Sequence, residues 1–109
     1  MAPMLPYGRQ SISPADIDAV VDVLKGDRLT TGPAVTAFED AIGAAAGGHR
    51  AVSCTSGTAA LHIAYAAAGV GEGDQVITTP MTFVATASCA SLLGARIEFA
   101  DIDPTTGLI

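Results

Sequence analysis

The chain has 109 residues, half of them hydrophobic, and a formal net charge of −6 at pH 7. This acidic balance argues against nucleic-acid binding, which relies on clusters of Lys and Arg around phosphates. No apolar run approaches the ~18 residues of a membrane helix, and the N-terminus does not resemble a secretory signal. Cys54 and Cys89 lack metal-binding spacing, so we interpret both as reduced, buried thiols of a cytoplasmic protein.

The first twelve residues, 1–12, have no hydrophobic periodicity and contain Pro3, Pro6 and Gly8. They predict an extended N-terminal arm, because these residues interrupt regular structure. Such an arm is stable only when it lies on another surface, for example that of a second subunit. Residues 13–109 follow as one region.

Two amphipathic helices are predicted in the first half of that region. Ser13 is the expected N-cap of the first helix and Gly26 its C-terminal stop, with an apolar stripe between them. The second helix follows a loop of hydroxyls and breakers at 29–33, and Gly47 and Gly48 are expected to end it. Each stripe predicts that one face of its helix packs against other elements.

Strand and helix patterns alternate through the second half of the chain. The predicted strands are 50–54, 75–79 and 96–100, and the predicted helices between them are 58–68 and 83–93. This alternation predicts an α/β fold with a parallel sheet. Ligands of such sheets bind at the carboxyl ends of the strands, so we expect a site in the loops that follow them.

The loop after the first predicted strand has the features of an anion site. Ser56, Gly57, Thr58 and Ala59 are small, so they leave the first amides of the next helix uncovered. These amides and the helix dipole suit a phosphate without any Lys or Arg, and the Ser56 and Thr58 hydroxyls add hydrogen-bonding groups. The alternative is an ordinary N-cap closed by Ser56 or Thr58. The spacing alone leaves both interpretations open.

Other motifs are better explained by ordinary structural roles. The Gly-x-Gly-x-Gly run at 69–73 follows a helix, the wrong context for dinucleotide binding, and predicts a turn. His62 is interpreted as a packing or surface residue and Cys54 as structural. Asp101 and Asp103 would be the metal ligands of a nucleotide-sugar glycosyltransferase, but the Pro-Thr-Thr-Gly after them is more typical of a hydrogen-bonded turn.

Six short motifs follow one another along nearly the whole chain. They are Leu5-Pro-Tyr-Gly-Arg-Gln, Leu29-Thr-Thr-Gly-Pro, Ser56-Gly-Thr-Ala-Ala-Leu-His, Gly73-Asp-Gln-Val-Ile-Thr-Thr-Pro, Thr82-Phe-Val-Ala-Thr-Ala and Ala100-Asp-Ile-Asp-Pro. Together they resemble the N-terminal part of the DegT/DnrJ-type nucleotide-sugar aminotransferases, which are pyridoxal 5′-phosphate (PLP) enzymes of fold type I. The arm and first helix most resemble family members of pseudaminic acid biosynthesis. The resemblance implies a truncated large domain with an incomplete sheet, in which the first strand is separated from the other two.

The resemblance also assigns roles to individual residues. It implies that Thr58 and Ala59 bind the PLP phosphate through backbone amides, and that Phe83 stacks on the pyridine ring. A flat aromatic side chain there would fix the plane of the ring. From the sequence alone, Phe83 is equally well explained as a core residue of its helix. Tyr7 and Thr31 correspond to family positions near the nucleotide sugar, and no metal site is implied.

The implied activity is transfer of an amino group from L-glutamate to a UDP-linked 4-keto-6-deoxy sugar by a cytoplasmic homodimer. Transamination needs a lysine that forms a Schiff base. The one lysine, Lys25, lies at the end of an amphipathic helix, so the catalytic lysine is expected beyond Ile109 and this chain alone is expected to be inactive. One alternative function is that of a PLP-dependent sugar dehydratase, which has histidine in place of the Schiff-base lysine. Two further alternatives are a glycosyltransferase that uses Asp101 and Asp103 and a non-catalytic phosphate-binding or dimerisation module.

Overall fold

The structure is a computed structural model that describes residues 8–109. Its elements are α1 Pro14–Lys25, α2 Pro33–Ala45, α3 Gly57–Ala67, β1 Gln75–Thr78, α4 Ala85–Leu92 and β2 Arg96–Phe99. The chain divides into two compact units, Met1–Val52 and Ser53–Ile109. The first unit contains α1 and α2, and the second contains the remaining elements. The described part of the arm, residues 8–12, forms no helix or strand.

Helix α1 begins and ends where the sequence predicts. The Ser13 hydroxyl accepts a hydrogen bond from the Asp16 amide at 3.3 Å, and the Asp16 carboxylate accepts one from the Ser13 amide at 2.7 Å. This capping box satisfies two donors that the helix leaves unpaired. It also lowers the pKa of Asp16, because the Ser13 amide and then the Ser13 hydroxyl stabilise the charged carboxylate. Lys25 lies in the last turn of α1, and Gly26 is the C-cap of the helix, as expected.

Helix α2 is followed by a close return of the chain. Gly47 and Gly48 have φ angles of 81° and 86°, a left-handed conformation that glycine adopts without strain. Gly43 is buried within α2, and a Cβ atom at this position would collide with the His49 carbonyl oxygen. The missing side chain therefore lets the segment after the helix pass directly against it.

The second unit is built around α4. Strands β1 and β2 pair in parallel, with Val76 opposite Ile97 and Thr78 opposite Phe99. Helix α4 connects the two strands and contacts both of them as well as α3. Its small side chains allow this close approach. The buried hydrophobic residues of the unit are Ala85, Cys89, Ala90 and Ala95.

One predicted strand is not present. Residues 50–54 form no strand, because a strand needs a neighbouring strand with which to form a hydrogen-bonded ladder, and the sheet of the described residues contains only β1 and β2. The remaining two-stranded sheet agrees with the expected incomplete sheet. Cys54 lies in this segment and is exposed, so the prediction of a buried thiol is wrong there; Cys89 is buried as predicted, and neither thiol forms a disulfide.

Large apolar side chains are exposed on both units. On the sheet, Ile77 and Phe99 are 59% and 58% exposed. On the first unit, Ile17, Leu24 and Phe38 are also exposed. The exposure on the sheet agrees with the expectation that an incomplete sheet leaves apolar surface uncovered. Helix α1 has no buried residue, so the predicted packing of its apolar face is not found among the described residues. Among the described residues, no helix has the length and apolar character needed to cross a membrane.

Candidate functional site

The turn before α3 is an N-cap with two amide donors left over. Ser56 has extended φ and ψ angles of −164° and 161°, and its hydroxyl accepts a hydrogen bond from the Ala59 amide at 3.1 Å. The Ser56 carbonyl oxygen accepts one from the Ala60 amide at 3.0 Å. Within the described part of the chain, the Gly57 and Thr58 amides have no hydrogen-bond acceptor. The N-cap interpretation is therefore confirmed for Ser56, and two donors are still available to an anion.

The residues that carry these two donors share a cavity with an aromatic residue. Gly57, Thr58 and Phe83 line one open cavity of about 660 Å³ in the second unit. The other lining residues are Ala60, Leu61, Ala64 and Ala85. Small-molecule sites typically have volumes of about 300–1,000 Å³, with mostly apolar walls and a few polar groups. The cavity has a mostly apolar lining of this kind, and the two residues whose amides are free lie on the same wall as the aromatic Phe83.

Phe83 lies outside α4, which begins two residues later than predicted, at Ala85. Its side chain is 60% exposed, so the interpretation of Phe83 as a core residue is wrong. It belongs to the loop after β1, at the carboxyl end of a parallel strand, where α/β folds bind ligands. It also lines a second, smaller cavity of about 240 Å³, formed mainly by Thr79, Thr82 and Phe99.

Sequence reasoning missed the side chains that support the cavity. The Tyr65 hydroxyl of α3 donates to the Thr86 carbonyl oxygen of α4 at 3.0 Å. The fully buried Cys89 thiol donates to the Thr58 carbonyl oxygen at 3.3 Å. The hydroxyl of a buried tyrosine usually has a hydrogen-bond partner, and this was the one feature of the sequence that pointed to the Tyr65 contact. The partner itself is a backbone oxygen, which no side-chain pattern reveals.

The two residues that the resemblance places near the nucleotide sugar, Tyr7 and Thr31, do not belong to the second unit. Thr31 belongs to the first unit, in the loop before α2. Its φ angle is 49°, a left-handed conformation that a β-branched residue rarely adopts. Backbone strain of this kind is concentrated at functional loops. Tyr7 lies outside the described residues.

The motifs with ordinary interpretations form turns. The Asp103 carboxylate accepts hydrogen bonds from the Thr105 and Thr106 amides at 2.7 and 3.0 Å, which lower its pKa, the Thr105 amide first. At 69–73 the Gly71 amide donates to the Asp74 carboxylate at 2.8 Å. The described residues contain no group of three or more His, Cys, Asp or Glu side chains arranged to hold a metal ion.

The sequence model of the DegT/DnrJ/EryC1/StrS aminotransferase family matches residues 10–109. The chain belongs to this family. The resemblance drawn from the ordered motifs is thereby confirmed, and the match covers both structural units.

Two curated relatives are named for different UDP-sugars. The chain is 43% identical over 99 residues to the UDP-4-amino-4-deoxy-L-arabinose--oxoglutarate aminotransferase of Shewanella sediminis. It is 46% identical over 99 residues to the UDP-4-amino-4,6-dideoxy-N-acetyl-beta-L-altrosamine transaminase of Campylobacter jejuni. Each alignment covers 91% of this chain and 26% of the relative. The chain thus spans about a quarter of the length of the curated relatives that it matches.

The fold agrees with solved structures of similar proteins. The sugar aminotransferase CalS13 of Micromonospora echinospora is 39% identical and superimposes with a TM-score of 0.78, covering 95% of this chain and 28% of that protein. Spr1654 of Streptococcus pneumoniae, solved in PLP and PMP forms, is 33% identical with a TM-score of 0.80. That alignment covers 94% of this chain and 26% of Spr1654. The predicted fold class, part of the α/β fold of PLP aminotransferases, is confirmed.

Proposed function

We propose that this chain is the N-terminal part of a PLP-dependent nucleotide-sugar aminotransferase, with an arm at 1–12 and the first portion of the large domain at 13–109. Family membership supports the reaction class. The observation that carries the cofactor assignment is that Gly57 and Thr58, whose amides are free, line the same cavity as the exposed Phe83. An anion and a flat ring are the two chemical parts of PLP that such a cavity suits.

The phosphate is proposed to bind at the first turn of α3. The Gly57 and Thr58 amides and the positive end of the helix dipole would hold it, and the Thr58 hydroxyl adds one donor. The Ala59 amide already donates to Ser56, so it joins the site only if the Ser56 hydroxyl turns away. Ser56 is therefore proposed to contribute by capping the turn that presents the Gly57 and Thr58 amides.

The ring of the cofactor is proposed to lie against Phe83. PLP, when bound, supplies the electron sink that stabilises a carbanion next to nitrogen. The part of Phe83 is to fix the plane of the ring, which selects the substrate bond that reacts. The apolar wall formed by Leu61 and Ala64 would keep water away from one side of the ring.

The catalytic lysine is proposed to lie beyond Ile109. Lys25 is the one lysine of this chain, and it ends α1 in the first unit. The chain alone would therefore bind or orient groups without transferring an amino group. Its span of about a quarter of the relatives' length supports this proposal.

The substrate is proposed to be a UDP-linked 4-keto-6-deoxy sugar, with L-glutamate as the amino donor and with Tyr7 and Thr31 near the nucleotide sugar. The names of the two relatives support a UDP-sugar, and that of the Shewanella relative supports glutamate, whose keto acid is oxoglutarate. The two names specify different sugars at nearly equal identity, so the 6-deoxy assignment rests on the motif resemblance. The complete protein is proposed to be a cytoplasmic homodimer.

The test is an assay of the complete protein with a UDP-4-keto-6-deoxy sugar, L-glutamate and PLP. We expect one oxoglutarate per amino sugar formed, and no product without PLP. Loss of a sugar hydroxyl without release of oxoglutarate would identify a dehydratase instead. Activity that depends on a divalent metal and is indifferent to PLP would contradict the proposed class.

A further inference from the structure

Thr86 holds the backbone on which Phe83 sits. Its amide donates to the Phe83 carbonyl oxygen at 3.0 Å, and its hydroxyl shares a hydrogen bond of 3.1 Å with the Thr82 hydroxyl. Thr86 therefore contacts both Phe83 itself and the residue before it, Thr82. Because its own side chain is 60% exposed, packing does little to hold the ring. The direction of the ring depends on the backbone that Thr86 fixes.

Tyr65 connects Thr86 to the helix that begins at the proposed phosphate site. Its side chain is half-buried, and its hydroxyl donates to the Thr86 carbonyl oxygen at 3.0 Å. At the other end of the site, the buried Cys89 thiol of α4 donates to the Thr58 carbonyl oxygen in the first turn of α3. These two bonds tie the anion-binding turn and the Phe83 loop to the same pair of helices.

We propose that Tyr65 and Thr86 are positioning residues, which set the ring of Phe83 at the distance from the first turn of α3 that a planar, phosphorylated ligand spans. The inference rests on the proposed function, in which that ligand is PLP. Neither residue needs to touch the ligand, since both act through Phe83. Aromatic stacking requires a defined offset between ring planes, so a loosened Phe83 would lose much of its attraction for the cofactor.

The cleanest variant is Tyr65→Phe, which removes one hydroxyl and keeps the aromatic ring. The Thr86 carbonyl lies in the first turn of α4, where the helix offers it an amide four residues on, so the variant leaves no oxygen unpaired. In the complete protein we expect the Kd for PLP to rise about two- to tenfold, the range for the net loss of one neutral hydrogen bond. Thr86→Val should act in the same direction, and Thr86→Ser, which keeps the hydroxyl, should restore most of the affinity.

A double-mutant cycle separates positioning from simple support of the fold. In a Phe83→Ala background, Tyr65→Phe should change the Kd less than twofold, because there is no ring left to position. The control is Ser91→Ala, which removes an exposed hydroxyl from α4, the helix that contains Thr86. It should leave both the Kd and the melting temperature unchanged. The Kd is measured by absorbance titration and the melting temperature by circular dichroism on the same samples.

Two results would overturn the inference while leaving the proposed function intact. One is a lower melting temperature for Tyr65→Phe with an unchanged Kd, which makes Tyr65 purely structural. The other is an equal loss of affinity in the parent and in the Phe83→Ala background. If Phe83→Ala and Thr58→Pro both bind PLP like the parent, the proposed site fails and the inference fails with it.

Discussion

Helices α1 and α3 both begin at a serine N-cap, yet only one of them has an open N-terminus. In α1 the Asp16 carboxylate lies in the first turn and completes a capping box with Ser13. In α3 Ser56 caps the Ala59 amide alone, and the first turn contains no acidic residue. A negative side chain already occupies the positive end of α1, whereas the same end of α3 is free to attract an external anion. The same capping chemistry therefore closes the end of α1 and leaves the end of α3 available for the proposed phosphate.

The largest effect is expected when α3 is given the charge that α1 carries. Ser56→Asp keeps a good N-cap but places a carboxylate close to the proposed phosphate. At about 4 Å and an effective dielectric constant of about 20, two like charges repel by roughly 4 kcal/mol. We therefore expect PLP binding to the complete protein to be lost in an equilibrium titration while the helix content is unchanged. Unaltered PLP affinity would show that the phosphate binds elsewhere.

A somewhat smaller loss is expected when one free amide of α3 is deleted. Thr58→Pro removes an amide donor at a position in the first helical turn where proline is tolerated. A hydrogen bond to a charged group contributes about 1.5–3 kcal/mol, so the loss of PLP affinity should approach ~3 kcal/mol. The control is Thr58→Ala, which keeps the amide and should cost about 1 kcal/mol. Equal affinities for the two variants would contradict recognition by the backbone.

Phe83→Ala tests the other wall of the cavity. Removing the stacking ring should weaken PLP binding by about 1–3 kcal/mol and shift the absorption spectrum of the bound cofactor. Because Phe83 is largely exposed, the melting temperature should change little. A large drop in melting temperature with unchanged affinity would return Phe83 to a packing role.

The smallest effect is expected at the start of α1. Hydrogen bonds from Ser13 lower the pKa of Asp16 relative to its ordinary value of 3.8. The ionised carboxylate thus favours the folded state above the unfolded pKa, and this contribution is lost as the pH falls through the lower, folded pKa. Asp16→Asn should flatten that part of the pH–stability curve below about pH 4, with no change in PLP affinity. A change in PLP affinity would mean that α1 is not purely structural.

Local features of the sequence predicted the helices well. Helix α1 begins at Ser13 and ends at Gly26, and the left-handed Gly47 and Gly48 follow the end of α2, as expected, because capping depends on a few neighbouring residues. The turn at Asp103 is predicted for the same reason. The parallel pairing of β1 and β2 follows instead from the alternation of strands and helices along the chain. The ordered motifs identify the family, which the family match confirms, and the phosphate site stays a prediction.

The sequence by itself determined where the chain turns, which helix begins with uncovered amides, and which family the chain belongs to. Tertiary structure decided the rest, since contacts between distant residues are not encoded in any local pattern. It left residues 50–54 without a partner strand, exposed Phe83, and joined Tyr65 to Thr86. The charge in the first turn of a helix, such as that of Asp16, can be read from the sequence, but only the folded chain specifies that Phe83 shares a cavity with the first turn of α3.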